Sequence, residues 1–370
     1  MGNSISPSFT SGGFEPTESK SEQGAFSPNE IPHLDLVLDD ASEVVKRCEA
    51  FRTLFHRLRD EIGRVMVGQD EIVEQTLIGL FADGHVLLEG VPGLGKTLLI
   101  RTLSRALTLP FSRIQFTPDL MPADIVGTTI MMENHESNRR VMEFRPGPIF
   151  SQIILADEVN RATPKTQAAL LEAMQEKRVT VSGKTHHLHR PFLVLATQNP
   201  IEQEGTYLLP EAQLDRFLLK LIVPYATRKE MTEILTRTTG GGMPEARPVP
   251  DGEHILQAQR LVRHVVAADH VQDYAIRLVL ATHPGGEDSF AVTNRYIKVG
   301  VSPRGAQAMI LSAKVRAVIN GRYAVSFKDI EAMALPALRH RVIPNFEADA
   351  EGVTSDDILN ELIRRVPHEV

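Results

Sequence analysis

The chain has 370 residues, of which 42% are hydrophobic and 24% are charged, and its formal net charge is −7. These proportions are ordinary for a globular protein with two folded domains, and they exclude a fibrous or wholly disordered chain. The single cysteine, Cys48, excludes an intrachain disulfide, and the acidic balance argues against a general nucleic-acid binder. No apolar run reaches the roughly 20 residues that a bilayer span requires, and no signal peptide is present, so we expect a cytoplasmic protein.

The first 40 residues have the composition of a disordered acidic tail. They are rich in Ser, Gly and Pro, contain few aliphatic residues before Ile31, and carry seven acids against one basic residue, Lys20. A helical pattern follows, with apolar residues at three- and four-residue spacing between Val44 and Leu58 and with Ser42 as its expected N-cap.

From His85 onwards the chain alternates short apolar runs with helical segments, which is typical of a parallel sheet covered by helices. A turn at Gly183, between Lys177–Ser182 and His186–Leu188, indicates a β-hairpin after the third run. We therefore expect residues 41–225 to form an α/β domain on a parallel five-stranded sheet. The five predicted strands are His85–Leu88, Arg113–Phe116, Ile153–Ala156, Phe192–Ala196 and Leu218–Val223.

After Pro224 the pattern becomes helical throughout and predicts a small all-α domain over residues 226–345. Residues 346–370 are predicted as a C-terminal tail with a short amphipathic helix, Ser355–Val366, which acids open and Arg364 and Arg365 close. The helical segments predicted before that tail are Arg228–Thr236, Asp251–Val266, Asp273–Thr282, Pro303–Val318 and Phe327–Val342.

Residues Gly90 to Thr97 read GVPGLGKT and match the phosphate-loop pattern GxxxxGK[ST] between an apolar strand and an apolar helix. Glycines let the backbone wrap tightly around phosphate oxygens, and the helix N-terminus supplies positive potential. Lys96 would meet the β- and γ-phosphates of ATP, and Thr97 would bind Mg²⁺. The predicted nucleotide contacts from this loop are Gly90, Pro92, Gly93, Leu94, Gly95, Lys96, Thr97 and Leu98.

Two adjacent acids, Asp157 and Glu158, end the third apolar strand. Successive residues at a strand end point in different directions, so the two carboxylates can take different roles. Asp157 can hold the Mg²⁺ shell while Glu158 orients and polarises the attacking water. Asn199 ends the next strand, at the same edge of a parallel sheet, where it can reach the γ-phosphate or the water. An Asn-Pro turn with a self-satisfied side chain is the alternative for this residue.

These motifs together resemble the AAA+ ATPases, and among them the MoxR family of the clade with an insert in the second helix. The resemblance spans roughly residues 43–345. It is carried by VGQ at 67–69, GVPGLGKT at 90–97, EFRPGPIF at 143–150, ADEVNRA at 156–162, QAALLEAMQE at 167–176, ATQNP at 196–200, EAQLDRF at 211–217 and SPR at 302–304.

The resemblance implies roles for several further residues. Asn199 would be the sensor-1 residue, Arg216 the arginine finger and Arg304 the sensor-2 arginine, while Val67 and Gly68 would line the adenine pocket. For each of the two arginines, a surface position without a role in the site is the alternative. Arg216 could form an ordinary surface ion pair with Asp215 or Glu211, and Arg304 could be a surface cation at a helix start.

The resemblance also implies a fold, ligands and partners. The fold is a P-loop NTPase domain with a helical lid, and ATP or ADP with Mg²⁺ would bind in the groove between them. The chain is expected to assemble into a hexameric ring. The insert at Pro118–Glu143 and the pre-sensor-1 hairpin at Glu176–Arg190 would face the working surface of that ring and remodel a protein client, with a von Willebrand A domain protein as a partner.

Several alternatives stay open at this point. Arg161 is compatible with a contact to a neighbouring subunit and with a surface position at a helix start. A nucleotide-gated binding module would need only slow hydrolysis, and a nucleic-acid motor of the same clade would use the basic residues of the pre-sensor-1 hairpin, although no aromatic platform interleaves them. His186, His187 and His189 could suggest a metal site, but neighbours on a strand point to opposite faces, so we expect a solvated hairpin.

Overall fold

Five short strands form one parallel sheet in the computed structural model, which describes residues 41–91, 93–134, 139–199, 207–240, 242, 244–249 and 252–368. The acidic tail predicted for residues 1–40 lies outside this part of the chain. The strands are β1 Val86–Glu89, β2 Phe111–Gln115, β5 Ile153–Asp157, β8 Leu193–Gln198 and β9 Leu219–Ile222, in the order β2-β5-β8-β1-β9. All five predicted strands are confirmed, with ends that differ by at most two residues.

Helices cover both faces of the sheet because alternate strand residues point into two separate cores. Val86 and Leu88 belong to one core and Leu87 between them belongs to the other. The helices of this part are α1 Ala41–Gly63, α2 Asp70–Phe81, α3 Lys96–Leu107, α4 Pro122–Val126, α5 Pro164–Glu176 and α6 Glu211–Leu214. Helix α1 already includes Ala41, so Ser42 lies in its first turn and the N-cap expected there is wrong.

Two antiparallel hairpins stand outside the sheet. The first pairs β3 Gly127–Asn134 with β4 Arg139–Pro146, and the second pairs β6 Arg178–Val181 with β7 Lys184–His187. The second hairpin confirms the prediction of a turn at Gly183. The two hairpins touch, because the hydroxyl groups of Thr129 and Ser182 lie 3.1 Å apart.

The rest of the chain is largely helical, as predicted. Its helices are α7 Arg228–Thr239, α8 Gly252–His264, α9 Asp269–Leu280, α10 Ala291–Tyr296, α11 Pro303–Ile319, α12 Phe327–Leu338, α13 Phe346–Glu351 and α14 Ser355–Arg365. An antiparallel pair of short strands, β10 Ile297–Val299 and β11 Ile343–Pro344, adds to the predicted all-α pattern. The core that contains Val86 continues through α1 and α2 into α9, α11 and α12, so the helical part packs directly against the sheet domain.

The C-terminal helix α14 begins with a capping box at Thr354 and Asp357, which satisfies two N–H groups at its start. Its apolar stripe, with Ile358, Leu359 and Leu362, is buried. Within the described residues, no helix combines the length and apolarity needed to span a membrane.

Candidate functional site

The predicted phosphate loop joins β1 to α3 at the carboxyl edge of the sheet. Gly93 and Gly95 have φ angles of +86° and +79°, which side-chain-bearing residues rarely adopt. Gly90 is confined for another reason, because a Cβ added there would lie 3.1 Å from the Cβ of Val223. Pro92 lies outside the described residues. The loop therefore has the backbone that the glycine pattern predicted.

The other predicted residues of this loop divide into two groups. Lys96 and Thr97 open α3, the Lys96 ammonium donates a hydrogen bond to the carbonyl oxygen of Gly90, and Thr97 is exposed. Leu94 and Leu98 pack against the large core instead and anchor the loop to the sheet domain. Lys96 and Thr97 are thus the side chains available to a phosphate and its metal ion.

Val67 and Gly68 lie in the connection between α1 and α2. Gly68 has a φ of +69°, and the Glu230 side chain of α7 fills the space that a Cβ there would need. Two turns further on, Arg237 of α7 donates a hydrogen bond of 2.7 Å to the carbonyl oxygen of Arg64. Helix α7, which has no buried residue, therefore covers the predicted adenine pocket.

Asp157 and Glu158 stand at the end of β5, at the same edge of the sheet as the phosphate loop. Thr197 of β8 connects them, because its hydroxyl group donates to Asp157 Oδ1 at 2.6 Å and accepts from the backbone N–H of Glu158 at 2.8 Å. Glu158 has a φ of +56°, which is uncommon for a residue with a side chain and turns the chain sharply after β5. Asp157 bonds to Thr197 and Arg113, whereas Glu158 bonds to Gln115 and Arg161, so the two carboxylates have separate side-chain partners.

Two residues of β2 complete this cluster, and the sequence reasoning missed both. Arg113 contacts Asp157 Oδ2 with Nε at 3.1 Å and with a terminal nitrogen at 2.6 Å. Gln115 donates to Glu158 Oε2 at 2.8 Å. Their spacing could have identified them from the sequence, because residues two apart on a strand place their side chains on the same face.

Arg161 and Gln167 also act on this turn. Arg161 donates to Glu158 Oε2 at 2.9 Å, which favours a role beside its own carboxylate. Gln167 of α5 is buried, and its amide nitrogen lies 3.2 Å from the carbonyl oxygen of Val159 and 3.1 Å from that of Ala162. Gln167 therefore holds the segment after Glu158 in place.

Asn199 is buried and directly follows β8. Strand β8 lies between β5 and β1, with Ala196 opposite Ala156 and Gln198 opposite Glu89. The backbone N–H of Gly90 lies 3.3 Å from the carbonyl oxygen of Gln198. This register brings Asn199 to the sheet edge that carries the phosphate loop and the two acids.

Arg216 and Arg304 lie elsewhere. Both line one cavity of about 270 Å³, together with Gly84 and His85 at the start of β1 and Leu218 before β9. The phosphate loop follows the opposite end of β1. Arg304 therefore lies at the edge of the sheet opposite to the phosphate loop of its own chain, and not beside that loop as its expected role in the nucleotide groove requires.

Asp215, the acid next to Arg216, pairs with two other arginines. Asp215 lies 2.7 Å from Arg341 and 3.6 Å from Arg304. The Nε of Arg216 is buried, and in the part of the chain that the structure describes it has no hydrogen-bond partner. The ordinary ion pair of Arg216 with Asp215 is thus not formed, and its guanidinium borders the cavity.

His85, which the sequence analysis did not single out as a functional residue, also lines this cavity. Its Nδ1 accepts from the backbone N–H of Val194 at 3.0 Å, so Nε2 donates to the carbonyl oxygen of Met174 at 3.1 Å. Burial above all, followed by the charge of Lys177, lowers the pKa of His85 to about 4. The ring is neutral at pH 7 and ties α5 to the sheet.

Of the histidines in and after the second hairpin, His186 is half-buried, whereas His187 and His189 are exposed. His186 stacks on Phe144 of the first hairpin, with ring centroids 4.0 Å apart. No group of three metal-ligating side chains occurs between Ala41 and His368 where the structure describes them. The expected hairpin is therefore only partly solvated, because His186 packs between the two hairpins.

Comparison with known proteins matches both parts of the chain to family models. Residues 85–219 match the model described as ATPase family associated with various cellular activities, and residues 290–362 match an AAA lid domain. The chain is 40% identical over 306 residues to Chaperone MoxR1 of Mycobacterium tuberculosis, which covers 83% of this chain and 80% of that protein. It is 30% identical to Protein MoxR of Methylorubrum extorquens, over 84% of this chain and 94% of the relative.

The chain belongs to the MoxR family of AAA+ ATPases. It is also 43% identical to the uncharacterized protein YeaC of Bacillus subtilis, over 86% of this chain and 96% of that protein. A crystal structure of a Cytophaga hutchinsonii protein shares 40% of its sequence and superimposes with a TM-score of 0.81, covering 88% of this chain and 98% of the other.

The residues of this MoxR-family chain suit a magnesium nucleotide. The exposed hydroxyl of Thr97 and the carboxylate of Asp157 can bind the metal ion, and the ammonium of Lys96 can pair with the phosphates, all at the carboxyl edge of the sheet. Hydroxyl and carboxylate oxygens are the ligands that Mg²⁺ prefers, and the N-terminus of α3 favours an anion. A Cβ at Gly93 would meet no atom within 4 Å, so the loop leaves open space there.

Proposed function

We propose that this MoxR-family protein hydrolyses ATP with Mg²⁺ and uses the released free energy to remodel or activate protein clients. The observation that carries the proposal is the single cluster at the carboxyl edge of the sheet, where Thr197 joins Asp157 to Glu158 beside a phosphate loop with two left-handed glycines. Nucleotide binding, metal binding and water activation need these groups at one place.

In the proposed reaction, Lys96 and the N–H groups of the loop bind the β- and γ-phosphates. Thr97 and Asp157 would hold Mg²⁺, which when bound neutralises charge on the transferred phosphoryl group. Glu158 orients the attacking water and accepts its proton, and Asn199 fixes the water or the γ-phosphate from the neighbouring strand. Val67 and Gly68 line the adenine pocket under α7.

Arg216 and Arg304 are proposed to act on the nucleotide of a neighbouring subunit. Their cavity opens at the amino edge of the sheet, whereas the phosphate loop lies at the carboxyl edge, so one chain holds the two halves of a site far apart. A closed ring brings these halves together, because each subunit then presents its arginines to the next phosphate loop. A hexamer is the proposed size of that ring.

The two hairpins are proposed to pass the nucleotide cycle to a protein client. The hairpin base lies at the arginine cavity, because Lys177 pairs with Asp83 at 2.5 Å and both residues line the cavity. A conformational change at the arginine cavity would move the second hairpin, and the stacking of His186 on Phe144 would pass that movement to the first hairpin. The relative named Chaperone MoxR1 supports a client of this class, and a von Willebrand A domain protein is the proposed partner.

The test compares the wild-type chain with Glu158→Gln, which should bind ATP and keep its ring while losing turnover. Phosphate release measures turnover, and light scattering measures the assembly. Tagged Glu158→Gln protein should retain partners from a cell extract in ATP and release them in ADP, and wild-type turnover should change when the purified partner is added. If the partner binds in ATP but never changes turnover, the chain is a nucleotide-gated binding module. If wild-type protein releases no phosphate, the proposed hydrolysis is wrong.

A further inference from the structure

We infer that Thr197 is the positioning residue of the site, whose hydroxyl group sets the direction of the Asp157 carboxylate and the backbone turn at Glu158 together. The inference rests on the proposed function, because it concerns how the two acids are held for magnesium binding and hydrolysis. Thr197 is fully buried, with 0% of its surface exposed, so its hydroxyl group has only protein partners to choose from.

The hydroxyl group lies where the β5–β8 ladder ends. The registered pairs between these strands run from Ile153 with Leu193 to Ala156 with Ala196. Beyond that pair the chain of β5 turns away through the left-handed Glu158, so the Glu158 N–H has no strand carbonyl to meet. Thr197 Oγ1 takes the place of that carbonyl at 2.8 Å. A buried N–H without an acceptor would destabilise this turn.

The Thr197 hydroxyl group also donates its proton to Asp157. A threonine hydroxyl has one proton, and here it points to Asp157 Oδ1 at 2.6 Å, which is a short bond typical of a charged acceptor. Arg113 binds the other oxygen, Oδ2, at 2.6 Å. The carboxylate is therefore held from two sides, by β8 and by β2, and its rotation about the last side-chain bond is restricted.

These two bonds make Thr197 different from an ordinary buried threonine. Thr293 provides the comparison, because it is also fully buried and its hydroxyl donates a single bond of 2.6 Å to the carbonyl oxygen of Ala281 in the helical part. Loss of the Thr293 hydroxyl should affect folding stability only. Loss of the Thr197 hydroxyl should also release the two acids.

The experiment compares Thr197→Val, Thr197→Ser and Thr293→Val in the full chain. Valine keeps the shape and removes both hydrogen bonds, whereas serine keeps them. We expect Thr197→Val to lower turnover by about 10- to 100-fold, since small displacements of catalytic groups have effects of this size. The Mg²⁺ concentration for half-maximal turnover should rise, and Mg²⁺ should no longer tighten equilibrium binding of a fluorescent ATP analogue. Turnover of Thr197→Ser should lie within about 3-fold of wild type, because the serine hydroxyl group can form both bonds.

Thermal unfolding without nucleotide identifies the folded variants, and Thr197→Ala replaces the valine variant if that one does not fold. The inference is overturned if folded Thr197→Val matches Thr293→Val in turnover and in Mg²⁺ dependence, or if folded Thr197→Ser is as defective as valine. Failure of the proposed function looks different, because wild-type protein would then release no phosphate. The Mg²⁺-dependent binding of the analogue would still separate the valine and serine variants in that case.

Discussion

Replacement of Arg216 by alanine should nearly abolish turnover while ATP binding persists, because the structure separates this arginine from its own phosphate loop. Arg216 lines a cavity with Gly84, and the loop begins at Gly90, at the other end of β1. Six residues of extended chain, at about 3.3 Å each, cover about 20 Å. An arginine side chain is shorter than this distance, so we expect Arg216 to serve the nucleotide of a neighbouring subunit. Arginines that stabilise transition-state charge in trans contribute about 10³ to 10⁵ in rate.

The decisive assay mixes two inactive variants, Arg216→Ala and Glu158→Gln. At some mixed interfaces, an intact Glu158 from the first variant faces an intact Arg216 from the second, and those interfaces should hydrolyse ATP. Phosphate release from the mixture should therefore exceed the sum of the separate variants. Lys46→Ala, on the exposed side of α1, serves as the matched control for loss of a basic side chain and should behave as wild type when assayed alone.

The reasoning is refuted if the mixture stays at the summed rate of its components after co-assembly has been confirmed with two different tags. Activity of Arg216→Ala alone near the wild-type level would refute it as well. Mixtures that fail to exchange subunits need co-expression of the two tagged chains, since unmixed rings cannot complement each other.

Three further predictions concern the loop, the tail and acid stability. Lys96→Ala should abolish ATP binding, whereas Glu158→Gln should bind ATP and lose most turnover. Tight ATP binding by Lys96→Ala in an equilibrium assay would contradict these roles, and so would near-normal phosphate release by Glu158→Gln. A chain that starts near Asp39 should fold, assemble and hydrolyse ATP like wild type, and a much slower but assembled truncation would make the acidic tail regulatory. Since the folded pKa of His85 is about 4 and its ordinary value is 6.5, the unfolded chain binds the proton first as pH falls, so stability is lost between these values. The loss of unfolding free energy due to His85 should be about 2 kcal/mol between pH 7 and pH 5. Denaturant unfolding of His85→Gln, which keeps a donor and an acceptor without the titration, should show a correspondingly weaker pH dependence, and an equal dependence would contradict the assignment.

The local sequence was sufficient for the sheet, most helices and the phosphate loop. Short apolar runs such as Ile153–Asp157 are buried on both sides and become strands wherever helices cover them. Glycines at positions 93 and 95 predict the left-handed backbone that the loop has. The adjacency of Asp157 and Glu158 at a strand end was also visible in the sequence, but the left-handed φ of Glu158, which turns the chain there, was not.

Tertiary structure decided which side chains act together. Thr197 lies 40 residues after Asp157, and Gln115 lies 43 residues before Glu158, so only the order β2-β5-β8 brings them to the acids. The short pair β10 and β11 likewise depends on a partner distant in sequence. Arg304 stands at a helix start in the sequence, but its position at the amino edge of the sheet follows from how the helical part packs on α1 and α2. Backbone preferences act over a few residues, whereas these contacts depend on burial of apolar surface between distant segments, which a local pattern does not encode.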